Sequence, residues 1–196
     1  LSKRLGFIYL DTGAMYRALT LKALRQNIDL DNIEALIQLV KSTKIHFENK
    51  DSKQYIYCDN EDVTEAIREP KVSHNVSKLA SYPLVREIMV NEQRKLADSV
   101  SVVMDGRDIG ECVLPDADYK FFITASLDVR AKRRILDLSK LGYDITYEEI
   151  KDDIAKRDAN DAQREVGALK ILDDSIVIDT SNKTIEEVLK SIISFI

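Results

Sequence analysis

Four short apolar runs constrain this chain more than any other feature: Phe7-Ile8-Tyr9-Leu10, Val102-Val103-Met104, Phe121-Phe122-Ile123 and Ile176-Val177-Ile178. Continuous apolar runs of this length, rich in β-branched and aromatic residues, read as strands covered on both faces. Stretches with helical periodicity lie between them. Strands alternating with helices predict a parallel, three-layer α/β sheet. Three of the runs stop at a carboxylate, Asp11, Asp105 and Asp179. In an open α/β sheet, ligands bind just beyond the carboxyl ends of the strands.

The second of these exits carries the most chemistry. Asp105, Arg107 and Asp108 crowd one strand end, with Gly106 letting the backbone turn sharply. A capped turn with an Arg–Asp ion pair accounts for the same residues equally well, so this segment alone does not decide. The first exit has a similar form. Residues 1–5 read as the end of a helix capped by Gly6, as though the chain began inside an element and preceding sequence were absent. After Asp11, Thr12 is expected to cap a helix over 14–25, and a carboxylate beside a helix N-terminus makes a ready anion site. Arg17, one turn further in, reaches the same anion or stays solvated.

Downstream, 31–42 reads as an amphipathic helix with Asp31 and Glu34 as a capping pair. Residues 44–47 and 55–58 alternate like strands around a polar turn at 49–53, and 63–67 continue the unit. Helices follow over 72–80 and from Pro83 to 98, with Ser81 as N-cap and Arg94 as a surface charge. Residues 44–99 thus form an excursion between core strands, too long for a simple crossover. After the third apolar run, Ser126 caps a helix that Gly142 stops, with Arg130, Arg133 and Arg134 on one face. Thr146 and Glu149 form a capping box for the next helix, where Arg157, Asp161 and Arg164 recur at i, i+4, i+7. That stripe is either a solvated salt-bridge ladder or a polyanion site. Thr184 caps a last helix, expected to run to 196.

At 196 residues the chain makes one domain, or a core with one or two small excursions. A formal net charge of −5 argues against bulk attraction to nucleic acid or anionic membranes. Cys58 and Cys112 form no CxxC pattern and suit a reducing cytosol, and neither they nor His46 and His74 have metal-ligand spacing. There is no run of about 18 apolar residues and no signal-peptide pattern.

Taken together, Asp11-Thr12-Gly13-Ala14-Met15-Tyr16-Arg17, Met104-Asp105-Gly106-Arg107-Asp108-Ile109-Gly110 and the Arg157-Asp158…Asp161…Arg164 set resemble bacterial cytidylate kinases. Ser81-Tyr82-Pro83-Leu84-Val85-Arg86 and Leu114-Pro115-Asp116-Ala117 resemble segments of the same family, in family order and over the whole chain. The resemblance implies a P-loop nucleoside-monophosphate kinase fold. Its α/β core with a parallel central sheet would comprise 1–43 and 100–196, with a lid at about 130–165 and a monophosphate-binding insertion at 44–99. One departure stands out: none of the six glycines is followed by lysine, so the G-x-x-x-x-G-K-[ST] loop that cradles donor phosphates is not in this sequence. Residues upstream of Leu1 are expected to carry it; the other reading is a non-catalytic pyrimidine-nucleotide-binding homologue. Ala168, where the family usually has proline, is a smaller departure.

The resemblance further implies transfer of the ATP γ-phosphoryl group to CMP, and to dCMP, in a cytoplasmic monomer. Asp105, Arg107, Arg157 and Arg164 would be catalytic, and Thr12, Arg17, Ser81, Arg94, Asp108 and Asp161 would bind the acceptor. Arg130, Arg133 and Arg134 would meet ATP. Mg²⁺ would accompany ATP, with Asp11 and Asp105 as outer-sphere partners. Asp108 would accept from the cytosine amine, with Ser81 beside it and Arg94 donating to the ring acceptors.

Overall fold

A computed structural model describes residues 1–50 and 53–196. The apolar runs become β1 (Ile8–Asp11), β5 (Val102–Asp105), β6 (Phe121–Thr124) and β7 (Ile176–Asp179). They pair in parallel, β1 with β5 and β6 with β7. The chain divides into two compact units, Leu1–Leu114 with Glu165–Gly167, and Pro115–Arg164 with Ala168–Ile196. Residues 44–99 lie wholly within the first.

In the first unit, α1 (Ser2–Leu5) ends on Gly6 in the left-handed conformation, φ +71°, as the sequence predicts. Helix α2 (Thr12–Arg25) follows β1 directly and is the centre of the unit. Ala14, Met15, Tyr16, Ala18, Leu19, Leu21 and Ala23 are all buried, so α2 is covered nearly all round, as an interior helix must be. One flank packs on α3 (Ile33–Ser42), α4 (Pro70–Leu79) and α5 (Pro83–Ala97) through Leu36, Leu39, Leu79, Val85 and Met89. The other meets Ile56, Cys58, Val63, Ile67 and Val72. An antiparallel ribbon of β2 (Ile45–Lys50), β3 (Lys53–Cys58) and β4 (Glu61–Asp62) confirms the two alternating strands; Asp51 and Ser52 of the expected turn lie outside the described residues. The continuation expected at 63–67 ends instead in a 3₁₀ turn, Ala66–Arg68.

In the second unit, α6 (Leu127–Lys140) and α7 (Tyr147–Ala162) pack through Ala131, Leu138 and Ile150, and α8 (Ile185–Ile193) ends three residues before the expected 196. The Ser126 cap and the capping boxes of Thr146–Glu149 and Thr184–Glu187 are all present.

Three expected N-caps are displaced by one residue. Asp11, not Thr12, caps α2, accepting from the Ala14 amide. Asn32, not Asp31, caps α3; Asp31 pairs instead with Lys78 at 2.6 Å. Tyr82 precedes α5 without a side-chain cap, and the Ser81 hydroxyl donates to the Lys78 carbonyl at 2.7 Å. A cap must reach the amide two or three positions on, which a neighbour one residue out of place cannot do. The strands also differ from expectation, since none is covered on both faces along its length. Ile8, Ile123 and Val177 are about half exposed. Each parallel ladder has two strands, so each strand is an edge and packing shields it only in part.

Candidate active site

The register of β1 against β5 sets Asp11 opposite Asp105 at the two strand ends. One Asp11 oxygen accepts from the Ala14 amide at 2.7 Å, and the other accepts from Arg17 at 3.0 Å. The carboxylate therefore joins a strand end, a helix N-terminus and a guanidinium. The Thr12 side chain, 97% buried, turns the other way and donates to the Asp105 carbonyl at 2.8 Å, tying α2 to the end of β5. Gly106 is required here by close approach: a Cβ would run into Thr12 Oγ1 and lie 2.7 Å from Ile109 Cδ1. Arg107, half-buried, follows directly.

Two carboxylates side by side resist joint ionisation. Desolvation on its protein side, and then the Asp11 charge, push Asp105 above the usual carboxylate range, although its outer edge meets solvent. A hydrogen bond with Tyr9 pulls it partly back. Tyr9 in turn is shifted upward by burial and by the same two carboxylates, so its hydroxyl stays a proton donor.

Asp108 lies beyond the strand end, 92% buried. Its partner is Arg86 on α5, whose Nη2 donates to Asp108 Oδ2 while Nη1 donates to the Ala80 carbonyl at 3.0 Å. The Arg86 guanidinium also lies over the Tyr16 ring at 5.8 Å. Sequence reading gave Arg86 no role, although a signal was there. Val85, Arg86, Met89 and Gln93 fall at helical spacing on the buried face of α5, so this arginine sits within an apolar stripe. Arg94 is outside that stripe, and its guanidinium donates to the carbonyls of Cys112 at 2.6 Å and Val113 at 3.0 Å. It is a surface charge, as expected, but one committed to a loop. Ser81 is exposed. The Cys112 thiol is pushed up to about 11 by burial and by neighbouring Asp108, which makes it a poor nucleophile.

In the second unit the Arg–Asp–Arg stripe is not a solvated ladder. Asp161 is fully buried, with Arg157 Nε at 3.8 Å from one oxygen and Arg164 Nη2 donating to the other. Helix α7 ends at Ala162, so Arg164 reaches back from just beyond it. The α6 arginines have separate duties. Arg130 donates to the Ala125 carbonyl at 3.1 Å and pairs with Asp158 at 2.5 Å, locking α6 to α7. Arg133 donates to the Thr180 hydroxyl and carbonyl at 3.1 and 2.7 Å, and Arg134 is half-buried.

Among the described residues, no three His, Cys, Asp or Glu side chains gather as a metal cluster. Asp11 and Asp105 are the candidates for a cation, and both Asp11 oxygens already accept hydrogen bonds. That donor set suits contact through water rather than direct ligation.

Parallel strands ending in carboxylates, a capped helix N-terminus and arginines held by buried aspartates define the class: an α/β protein equipped to hold a phosphorylated ligand. Comparison with known proteins makes this specific. The family model for cytidylate kinase matches residues 1–196. Proteins named cytidylate kinase from Bacillus cereus (strain ATCC 10987 / NRS 248), Bacillus thuringiensis (strain Al Hakam) and Bacillus anthracis (strain A0248) are each 46% identical over 195 residues, covering 100% of this chain and 87% of the relative. The chain belongs to the cytidylate kinase family.

Proposed function

We propose that this chain transfers the γ-phosphoryl group of ATP to CMP, and to dCMP, giving ADP and CDP or dCDP. The observation that carries the reading is the buried Arg86–Asp108 pair. It presents an acceptor and donors side by side, the pattern complementary to the exocyclic amine and ring acceptors of cytosine. Uracil would turn a carbonyl toward the Asp108 carboxylate, and a mismatch of that kind is strongly rejected in sites built to hydrogen-bond a base. Arg86 takes the place first given to Arg94, whose guanidinium is engaged by the 112–113 carbonyls.

The reaction needs the two phosphates in line, their charge neutralised and water kept out. Arg17 and Arg107 follow the two strand ends and are assigned to the acceptor phosphate, with Thr12 holding the strand ends in register. Arg157 and Arg164 supply positive charge to the transferring group, each oriented by Asp161, which can also contact the ribose. Arg134 remains a candidate for ATP, whereas Arg130 and Arg133 act chiefly in fixing α6. Mg²⁺ carried with ATP neutralises donor phosphate charge, and Asp11 and Asp105 fit it as outer-sphere partners. A P-loop kinase fold with one parallel central sheet, an insertion at 44–99 and a lid at about 130–165 accommodates these roles. Among the described residues no helix is long and apolar enough to cross a membrane. The cytoplasm, and a monomer, complete the proposal.

Calorimetric titration with CMP, UMP and AMP, followed by an ADP-release assay, tests it. Preference for CMP with turnover supports the reading. Binding without turnover, in a chain that also carries the donor-phosphate loop, would leave a nucleotide-binding homologue, and indifference to the base would overturn the acceptor assignment.

A further inference from the structure

Gly167 contacts the Arg86–Asp108 pair and has no place in the chemistry above. Its φ is +69°, a conformation that disfavours any side chain. A Cβ there would run into Arg86 Nη2 and lie 2.7 Å from both Arg86 Cζ and Asp108 Oδ2. Glycine is thus required twice over, by backbone conformation and by close approach. The segment Glu165–Gly167 packs with the first unit, while the chain on either side belongs to the second. Glu165 and Val166 are exposed, and only Gly167 is buried. The buried residue of the segment is the one that lies against the ion pair.

We propose that Gly167 is a strap over the base-reading pair, seated when no nucleotide is bound and lifted when a base enters. The inference rests on the reading of Arg86 and Asp108 as the base-recognition pair. With the strap down, Arg86 is 2% and Asp108 8% exposed, and Arg86 Nε is buried with no hydrogen-bond partner. The pair is closed to solvent yet not fully satisfied, a state that an incoming base with its own donors and acceptors can improve. Seating and base binding compete for the same surface, so the strap lowers apparent affinity by the fraction of molecules in which it is raised.

Hydrogen exchange of the unmodified chain, read over 165–169 with and without saturating CMP, is the direct test. Faster exchange with CMP is expected; equal or slower exchange overturns the strap. Gly167→Ala provides a second test. The added methyl group keeps the segment off the pair, because releasing a short segment with two of its three residues exposed is easier than breaking a buried ion pair. CMP should then bind roughly three- to tenfold more tightly, and UMP by the same factor, since removing a competing closed state raises every affinity alike. Unchanged or weaker CMP binding by the folded variant overturns the proposal. Asp108→Asn separates the two possible failures. Unaltered CMP-over-UMP discrimination there overturns the base-reading role itself, whereas lost discrimination beside an unmoved Gly167→Ala affinity overturns the strap alone.

Discussion

Asp11 and Asp105 face each other as register partners at the ends of two parallel strands, and of the two only Asp11 accepts hydrogen bonds from an arginine and a helix amide. The two carboxylates are therefore unequal. Asp11 is a helix cap that also holds Arg17. Asp105 is the member of the pair that resists ionisation.

That inequality gives a pH prediction. A carboxyl group raised in the folded state binds its proton more tightly there than in the unfolded chain, so it contributes less stability as pH climbs through its folded value. Asp105→Asn removes the penalty and should raise Tm at neutral pH by a few degrees. The gain should shrink toward zero as pH falls to the ordinary carboxylate range near ~4. Melting curves across that range check it; a gain independent of pH would remove the raised Asp105 carboxyl as the cause.

Asp11→Ala should act in the opposite direction at neutral pH. It deletes the α2 cap and releases Arg17, and loss of a capping side chain alone costs about 1 kcal/mol, up to ~2. Chemical denaturation would measure the loss. Asp11→Asn should recover most of the cap but not the hold on Arg17, leaving stability nearer normal than affinity for the acceptor phosphate.

Much of this arrangement was legible in the sequence because it is local. A carboxylate ending an apolar run and a helix beginning within three residues are both visible in a window of ten, and the strand ends at Asp11 and Asp105 appear where that pattern places them. Three of the caps were legible only to within one residue. Thr12, Asp31 and Ser81 all have capping side chains, and composition cannot decide between them and a neighbour when geometry alone selects the residue that reaches the right amide. Arg86 was hidden for a different reason. Arginine on a helix is ordinarily a surface residue, and its burial depends on Asp108, 22 positions away and on another element. The Asp161 network was visible as spacing but not as burial, since helical periodicity shows which residues share a face and not what covers it.

Asp108→Asn tests base choice with less damage than truncation, because deleting one partner of a buried ion pair typically costs about 3–5 kcal/mol and would blur any kinetic result. The CMP/UMP ratio of kcat/KM is expected to fall by at least about tenfold, within the range seen when a polar base-reading group is altered. An unchanged ratio would place base selection elsewhere.

Arg164→Lys keeps the charge and loses the planar fork. Asp161 retains Arg157 at 3.8 Å, so the fold should survive with a small shift in Tm. The rate constant kcat should fall about 100-fold, because lysine cannot both hold Asp161 and present a second face to a phosphoryl group. A melting loss large enough to account for the lost activity would make Arg164 a structural arginine only.

Helix α2 has almost no solvent face, and that has a consequence for how the molecule can change. A surface helix can drift, bend or be remodelled while the interior holds; α2 cannot, because Leu36 and Leu79 on one flank and Ile67 and Val72 on the other wedge it from different sides. The amide that Asp11 grips, that of Ala14, lies in the first turn of this helix. The position of that carboxylate is thus set with the tolerance of the interior packing itself, so the phosphate-facing edge of the chain can be tuned through side chains hung around α2 but hardly at all by moving its foundation.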